Sequence, residues 1–372
     1  MRLAILGTRG VPPEYGGFET FAAELGVRLV NRGHDVTVYC RVAGLRGVEV
    51  SEWRGIRRIV LPHLPGKYLE TVTHTLVSAV DALRRDFDVI LLCNAANAFT
   101  IPLLRAARMP VAINVDGIER KRRKWNVLGQ AFYAMGEAFA ATFASAVVAD
   151  AEVIAEYYRA NYNLEPAVIP YGAEFPAEED TNIRQRLGIE STGRYILYVS
   201  RFEPENNPLE VVRAYEKLKD APPLVMVGAA RYDKALEAEL RRHASPKVLF
   251  PGALYGADYR TLQRHALVYV QATEVGGTHP ALIEAMASGG LVLANDTPEN
   301  REVGGDAIRY FQLRSSSARY RGTETLSGML HECLASADQD REWRDRARRR
   351  AAERFGWEAV TGAYERLFDR LS

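Results

Sequence analysis

Short apolar runs alternate with longer segments of helical periodicity along the whole chain, the pattern of parallel α/β sheets. In the first half, the runs that read as strands are Leu3–Leu6, Val36–Cys40, Ile56–Leu61, Val89–Cys93, Val111–Val115 and Ala146–Ala149. In the second half they are Tyr195–Val199, Leu224–Val227, Val248–Phe250, Leu267–Val270, Leu291–Ala294 and Ala307–Phe311. Between the halves, Val168-Ile169-Pro170-Tyr171-Gly172 leads into the polar stretch Glu174 to Asn182, which reads as a hinge. Two doubly wound sheets facing one another are expected, over residues 1–172 and 173–356. In the closing segment 357–372, Trp357, Val360, Tyr364, Leu367 and Phe368 share one helical face. A core-packing helix that crosses back to the first domain is expected there.

One stretch imitates a membrane span. Ala131 to Ala149 is nearly all apolar, yet it carries Glu137 near its middle and turns β-branched at Val147-Val148. It reads as a buried helix running into a short strand.

Composition agrees with two globular domains: 372 residues, 47% hydrophobic and 26% charged. The net charge of +1 provides no overall field for nucleic acid, so none is expected as a partner. Cys40, Cys93 and Cys333 lie far apart and read as inert thiols in a reducing compartment. Met1 to Leu6 is too short for the apolar core of a signal peptide, and the expected location is cytoplasmic.

Three segments carry candidate chemistry. The first strand ends in Gly7-Thr8-Arg9-Gly10-Val11-Pro12-Pro13-Glu14-Tyr15-Gly16-Gly17, and a helix follows from Phe18. Such a loop lets a ligand approach the backbone, and free N–H groups at the helix start attract phosphate; the alternative is a turn that needs glycine for shape alone. The spacing is not G-x-G-x-x-G, and the second strand ends Tyr39-Cys40-Arg41 without an acid for a ribose hydroxyl. A nicotinamide cofactor is therefore not expected. In the second half, Ser200-Arg201-Phe202-Glu203-Pro204-Glu205-Asn206-Asn207-Pro208 follows a strand. Asn207 reads as an N-cap with Glu210 completing a capping box. Arg201 stands at the carboxyl end of a strand, where a guanidinium can hold a diphosphate or join a surface ion pair. In Glu274-Val275-Gly276-Gly277-Thr278-His279-Pro280-Ala281-Leu282-Ile283-Glu284, two glycines open a loop and Pro280 starts a helix that ends at Gly289. That start offers N–H groups to a phosphate, with Glu284 one turn in, either facing a ribose or simply exposed.

The Arg201 segment and the glycine–proline–helix–Glu284 segment resemble family 4 of the glycosyltransferases. Gly7–Glu19, Val115–Trp125 and Arg201–Asn207 are similar to its capsular and O-antigen rhamnosyltransferase-type subgroup. The resemblance spans nearly the whole chain. It implies a GT-B fold: two Rossmann-like domains with an interdomain cleft, the second holding the nucleotide and the first the acceptor. It further implies that Gly16 and Gly17 approach the donor, Arg201 neutralises its diphosphate and Glu284 binds the ribose. Gly276, Gly277 and Thr278 would line the sugar and phosphate site beside Asn206, with Gly252 next to the base. The chain departs from the family at Asn206-Asn207, where the family carries a Lys, and in the nine residues separating Glu274 from Glu284.

Asp116 stands where many family members carry a His near the reacting carbon; it reads as an acceptor-steering carboxylate or as a turn residue before Gly117. The block Arg120–Lys124, five consecutive cations followed by Trp125, reads either as a contact for anionic lipid or acceptor pyrophosphate, or as a solvated face. Asp338-Gln339-Asp340 matches a metal-binding pattern of other transferases but lies in a charged helical stretch and reads as surface. The expected activity is metal-independent, retaining transfer of a sugar from a nucleoside diphosphate, dTDP-L-rhamnose above others, onto a glycan or lipid-linked glycan acceptor. No cofactor is expected. The alternatives are a nucleotide-sugar epimerase or hydrolase of the same shape, and a catalytically silent binding partner.

Overall fold

The computed structural model describes residues 1–13, 17–43, 49–66, 69–121, 125–173, 180–189, 193–230, 233–313, 325–336 and 340–372. The chain divides into two compact units, one of Met1–Gly172 with Trp357–Ser372 and the other of Ala173–Gly356.

The first unit is built on eight strands: β1 (Arg2–Leu6), β2 (Asp35–Ala43), β3 (Glu49–Trp53), β4 (Ile56–His63), β5 (Val89–Cys93), β6 (Val111–Asn114), β7 (Ala146–Ala149) and β8 (Ala167–Val168). Their order in the sheet is β3-β4-β2-β1-β5-β6-β7-β8, parallel throughout except for the antiparallel pairing of β3 with β4. β5 is buried along its whole length and β1 at every position but Arg2, as strands covered by helices on both faces must be. The order reverses between β1 and β5, so the carboxyl ends of these two strands flank the crevice in which open α/β sheets bind ligands.

The second unit contains β9 (Ile196–Val199), β10 (Leu224–Val227), β11 (Val248–Gly252), β12 (Val268–Gln271), β13 (Leu291–Asn295) and β14 (Arg309–Phe311), in the order β11-β10-β9-β12-β13-β14. All of its pairings are parallel, and here the order reverses between β9 and β12. The chain therefore has two doubly wound, Rossmann-like α/β units, and every strand expected from the sequence is present with its ends moved by a few residues at most.

The segment Ala131 to Ala149 resolves into the helix Val127–Phe143 followed by β7. Glu137 on that helix is buried, and its Oε2 accepts hydrogen bonds from Tyr157 (2.7 Å), Tyr162 (3.1 Å) and Arg120 Nε (3.2 Å). Among the described residues no helix is long and apolar enough to cross a membrane.

The helix Trp357–Asp369 belongs to the first unit and buries Trp357, Val360, Tyr364, Leu367 and Phe368. Phe21 packs on both Trp357 and Tyr364, and the Tyr364 hydroxyl accepts from Asn114 Nδ2 at 2.8 Å. Arg32 closes the other side through Glu358 and Glu365. In the Arg-rich helix before it, Arg341–Phe355, two arginines reach main-chain carbonyls. Arg344 donates to Leu267 O and Gly289 O, and Arg350 to Glu302 O and Val303 O. Glu302 O and Val303 O belong to the last turn of the helix Pro298–Gly304, whose carbonyls have no partner within that helix. Of the expected hinge, residues 174–179 lie outside the described residues.

Candidate active site

In the second unit the two loops with candidate chemistry leave the strands that flank the reversal of order. Arg201 follows β9, and Gly276-Gly277-Thr278 follow β12 and lead into the helix Pro280–Ala287. Two hydrogen bonds join these loops: Asn207 Nδ2 donates to Ala272 O at 2.9 Å, and the Glu274 N–H donates to Glu205 O at 2.9 Å. Asn207 is thereby held at φ +55° and caps nothing with its side chain. The expected capping box does not form, because an N-cap residue needs extended backbone angles and this one is left-handed. Pro208 still opens the helix Pro208–Tyr215.

Asn206 is buried, donates from Nδ2 to Arg201 O at 2.7 Å and offers its own carbonyl to the Tyr198 hydroxyl at 2.8 Å. It fixes the main chain on which Arg201 stands. The Arg201 side chain is 45% exposed and only loosely paired, 3.8 Å from Glu203. Such a guanidinium is available to an anion.

Gly276, Gly277 and Thr278 are buried, and Gly276 has φ +158° with the His279 ring packed where a side chain would stand. The loop thus brings backbone to the start of the helix Pro280–Ala287, where N–H groups and helix dipole favour a phosphate. One turn in, the Glu284 carboxylate accepts a short hydrogen bond from the Tyr259 hydroxyl. Gln263 Nε2 in turn donates to the Tyr259 oxygen at 2.9 Å and to Ala281 O at 3.3 Å. Burial and the Glu284 charge keep the Tyr259 phenol protonated, its pKa far above the ordinary value. Tyr259 and Gln263 were not singled out from the sequence. Their four-residue spacing on the helix Gly256–His265 is visible there, but the partner that gives it meaning lies on another element.

Gly252 ends β11 at φ +84° with open space where a side chain would point, and its carbonyl accepts from the Gly228 N–H. Gly228 itself presses on Ser200 O, so the loop after β10 also borders the Arg201 loop, a neighbour that strand patterning alone does not reveal.

In the first unit the glycine-rich loop divides by role. Gly7 (φ +88°) and Gly10 (φ +113°) are packed: a Cβ on Gly7 would meet the Cys93 carbonyl and Asn97, and one on Gly10 the Cys40 side chain. These two glycines serve shape. Gly17 is exposed at the first position of the helix Gly17–Asn31, where its loop can meet a ligand; Gly16 lies outside the described residues. Glu19, buried in the first turn, accepts the Arg9 N–H at 2.9 Å, and burial raises its pKa.

Asp116 follows β6 with φ +56°, the left-handed geometry that a turn before Gly117 requires, and its N–H donates to Asn114 Oδ1 at 3.0 Å. Its carboxylate stays partly exposed and lies near Cys93 and Tyr171, whose pKa values it pushes up further after burial. Asp116, Glu19 and the end of β5 thus gather at the reversal point of the first sheet. Arg120 leaves the basic block, since its guanidinium is committed to Tyr157 and Glu137. Arg122, Arg123 and Lys124 lie outside the described residues, as do Asp338 and Gln339; Asp340 accepts from Ser336 before the helix Arg341–Phe355. Among the described residues no group of three or more His, Cys, Asp and Glu side chains forms a metal-holding cluster.

Residues 16–172 match the family model of the glycosyl transferase 4-like domain, and residues 179–350 match that of the glycosyl transferases group 1. Together the two models span nearly the whole chain, which therefore belongs to the glycosyltransferases of the GT-B class. No curated protein matches the sequence. Among solved structures, the chain is similar to sucrose-phosphate synthase from Thermosynechococcus elongatus, with 19% identity, a TM-score of 0.81 and coverage of 100% of this chain and 98% of that one. It is also similar to Anabaena HepE in complex with UDP-glucose, with 17% identity, a TM-score of 0.77 and 98% of both chains covered. A third is an alpha,alpha-trehalose-phosphate synthase from Burkholderia xenovorans in complex with glucose-6-phosphate, with 13% identity, a TM-score of 0.73 and coverage of 99% and 100%.

Proposed function

We propose that this glycosyltransferase moves a sugar from a nucleoside diphosphate onto a cell-surface glycan acceptor, with the donor held by the second unit and the acceptor by the first. The observation that carries the donor reading is the juxtaposition at β9 and β12. A loosely paired Arg201 stands on one loop, and on the hydrogen-bonded neighbouring loop a glycine-rich helix start precedes Glu284. Arg201 and the amides before Pro280 meet the diphosphate and stabilise it as it leaves, without a metal. Glu284, steadied by Tyr259, accepts from the ribose. Net retention at the anomeric carbon follows from the family resemblance.

The proposed donor is dTDP-L-rhamnose, supported by the resemblance of Gly7–Glu19 and Val115–Trp125 to the rhamnosyltransferase-type subgroup. UDP-glucose is the second reading, favoured by the UDP-glucose complex of the similar Anabaena protein. An assay of released nucleoside diphosphate, run with each donor and with and without glycan acceptor, tests the proposal. Acceptor-dependent release from dTDP-L-rhamnose, unaffected by EDTA, is expected. Release from UDP-glucose alone would replace the donor, acceptor-independent release would mean a hydrolase, and loss on chelation would refute the metal-free mechanism.

A further inference from the structure

Two helices of the first unit turn their small and polar residues inward and their large apolar ones toward water. The helix Leu69–Ala82 buries His74, Thr75, Ser78, Ala79 and Ala82 and leaves Leu69, Leu76, Val77 and Val80 exposed. These four fall on one stripe at helical spacing, with Val72 and Thr73 half-buried beside them. The helix Val127–Phe143 buries Tyr133, Gly136, Glu137 and Ala140 and exposes Val127, Leu128, Met135 and Phe143. Its one charged residue, Glu137, is on the buried side.

Both helices belong to one layer, joined by the turn Ala95–Thr100. Thr75 Oγ1 donates to Asn97 Oδ1 at 2.7 Å, and Gly136 is pressed so closely on Ala95 O that a Cβ has no room. The helix Ile101–Ala106 continues from that turn and exposes Leu103. Among the described residues, every exposed large apolar side chain except Tyr255 belongs to the first unit.

A helix that faces water ordinarily carries its charge outward, and a wide apolar outer face marks a surface that something covers. Charge indicates what covers this one. Glu70 and Asp81 on the helix Leu69–Ala82 are partly buried and paired with Arg41 and Arg85, and the helix Ile101–Ala106 carries no acid. The exposed Asp86 that follows is paired with Arg2 at 3.7 Å. Arg84, one turn past Val80, is exposed, as are Arg105 and Arg108. A second copy related by a two-fold axis would bring the same face against itself and set these cations against one another. Anionic headgroups would neutralise them, while the boundary below takes up the apolar side chains.

We propose that this helical face docks the first unit on an anionic lipid surface. Val127 and Leu128, 80% and 79% exposed, enter the boundary between headgroups and acyl chains, with the stripe of the helix Leu69–Ala82 against it and Arg84 and Arg105 on the headgroups. Lipid docking does not depend on the transferase reading; that the acceptor is met at the membrane does.

The test is flotation of the full chain, at fixed ionic strength, with vesicles of equal parts phosphatidylglycerol and phosphatidylcholine and with vesicles of phosphatidylcholine alone. The parent is expected to float mainly with the anionic vesicles. The double variants Val127→Ser with Leu128→Ser, and Leu76→Ser with Val80→Ser, should each bind at least about tenfold more weakly. Arg84→Gln with Arg105→Gln should weaken binding to the anionic vesicles roughly tenfold and leave the neutral ones unchanged. Tyr255→Ser, in the second unit, should bind as the parent does. Val127 and Leu128 are so exposed that their double variant should keep the parent melting temperature, which separates lost docking from a damaged fold. A parent that floats with neither vesicle, or serine variants that float as it does, would overturn the proposal. So would a dimer in sedimentation velocity that the same substitutions abolish while no vesicle is bound, which would assign the face to a second copy. Absence of sugar transfer with every donor, with vesicle binding intact, would instead remove the transferase reading and keep the lipid face.

Discussion

Arg201 and Glu284 are held by the fold in different ways, and their variants should fail differently. Arg201 is nearly half exposed and only loosely paired, so Arg201→Ala should leave the melting temperature close to that of the parent. It should lower turnover roughly ten- to hundredfold, the equivalent of about 1.5–3 kcal/mol for a charge-assisted contact. Steady-state kinetics beside a thermal melt checks both halves, and near-normal turnover would remove Arg201 from the site. Glu284 depends on Tyr259, which donates to it, and on Gln263, which donates to Tyr259. In Tyr259→Phe the carboxylate loses one donor but not its charge. The KM for donor should rise about tenfold, with kcat changed much less, as expected for a weakened ground-state contact. An unchanged KM would mean that Glu284 does not meet the donor. Arg201 and Glu284 could be named as candidates from the sequence because one follows an apolar strand run and the other stands one turn into a helix opened by two glycines and Pro280. Tyr259 could not, because nothing within its own helix shows which carboxylate it serves.

At the scale of elements, strands buried on both faces announced themselves as apolar runs, whereas β3 did not. Its sequence Glu49-Val50-Ser51-Glu52-Trp53 is mostly exposed at the sheet edge, so burial imposes no apolar pattern on it. Asn207 shows the opposite failure, a clear local signal overridden by tertiary structure. Its carboxamide is used on Ala272 across the sheet, and its left-handed backbone excludes the cap. The β1–β5 junction combines both lessons. Gly7 stands in a loop that reads either as a ligand approach or as a turn needing glycine for shape alone, and at this position the second holds, since it is wedged against Cys93 and Asn97. Asn97 Nδ2 in turn ties Cys93 O (2.7 Å) to Gly7 O (3.3 Å), while its Oδ1 accepts from Thr75 at 2.7 Å. Gly7→Ala adds a methyl group with no room at φ +88°, and left-handed strain alone costs of order 1–3 kcal/mol. Urea unfolding should show a loss of about 2 kcal/mol or more, and a variant as stable as the parent would refute the packing role.

At the scale of the whole molecule, the alternation of runs carried the two-sheet architecture and the family motifs carried the class, while the buried titratable groups stayed hidden because their partners come from distant strands. Two of them oppose each other in setting acid stability. His74 has a folded pKa of about 3 against an ordinary 6.5, so between those limits the unfolded chain binds the extra proton. Stability contributed by His74 is therefore complete above pH 6.5 and falls as the pH drops, by up to about 1.4 kcal/mol per pH unit. Glu19 acts in reverse. Its folded pKa is raised by burial, so the folded state binds the extra proton, and its contribution is lost as the pH rises above the ordinary 4.5. The lowered carboxylates Asp81, Asp180 and Glu365 lose their contribution only at lower pH, as it falls through their ordinary range and below. Between pH 4.5 and 7 the melting temperature should therefore gain less with rising pH in His74→Gln than in the parent, and more in Glu19→Gln. Urea unfolding at pH 5 and 7 gives the same comparison in free energy. A His74→Gln variant as acid-sensitive as the parent would show that the imidazole is protonated in the folded state, and would place a buried cation beside Arg41 where this structure has a neutral ring.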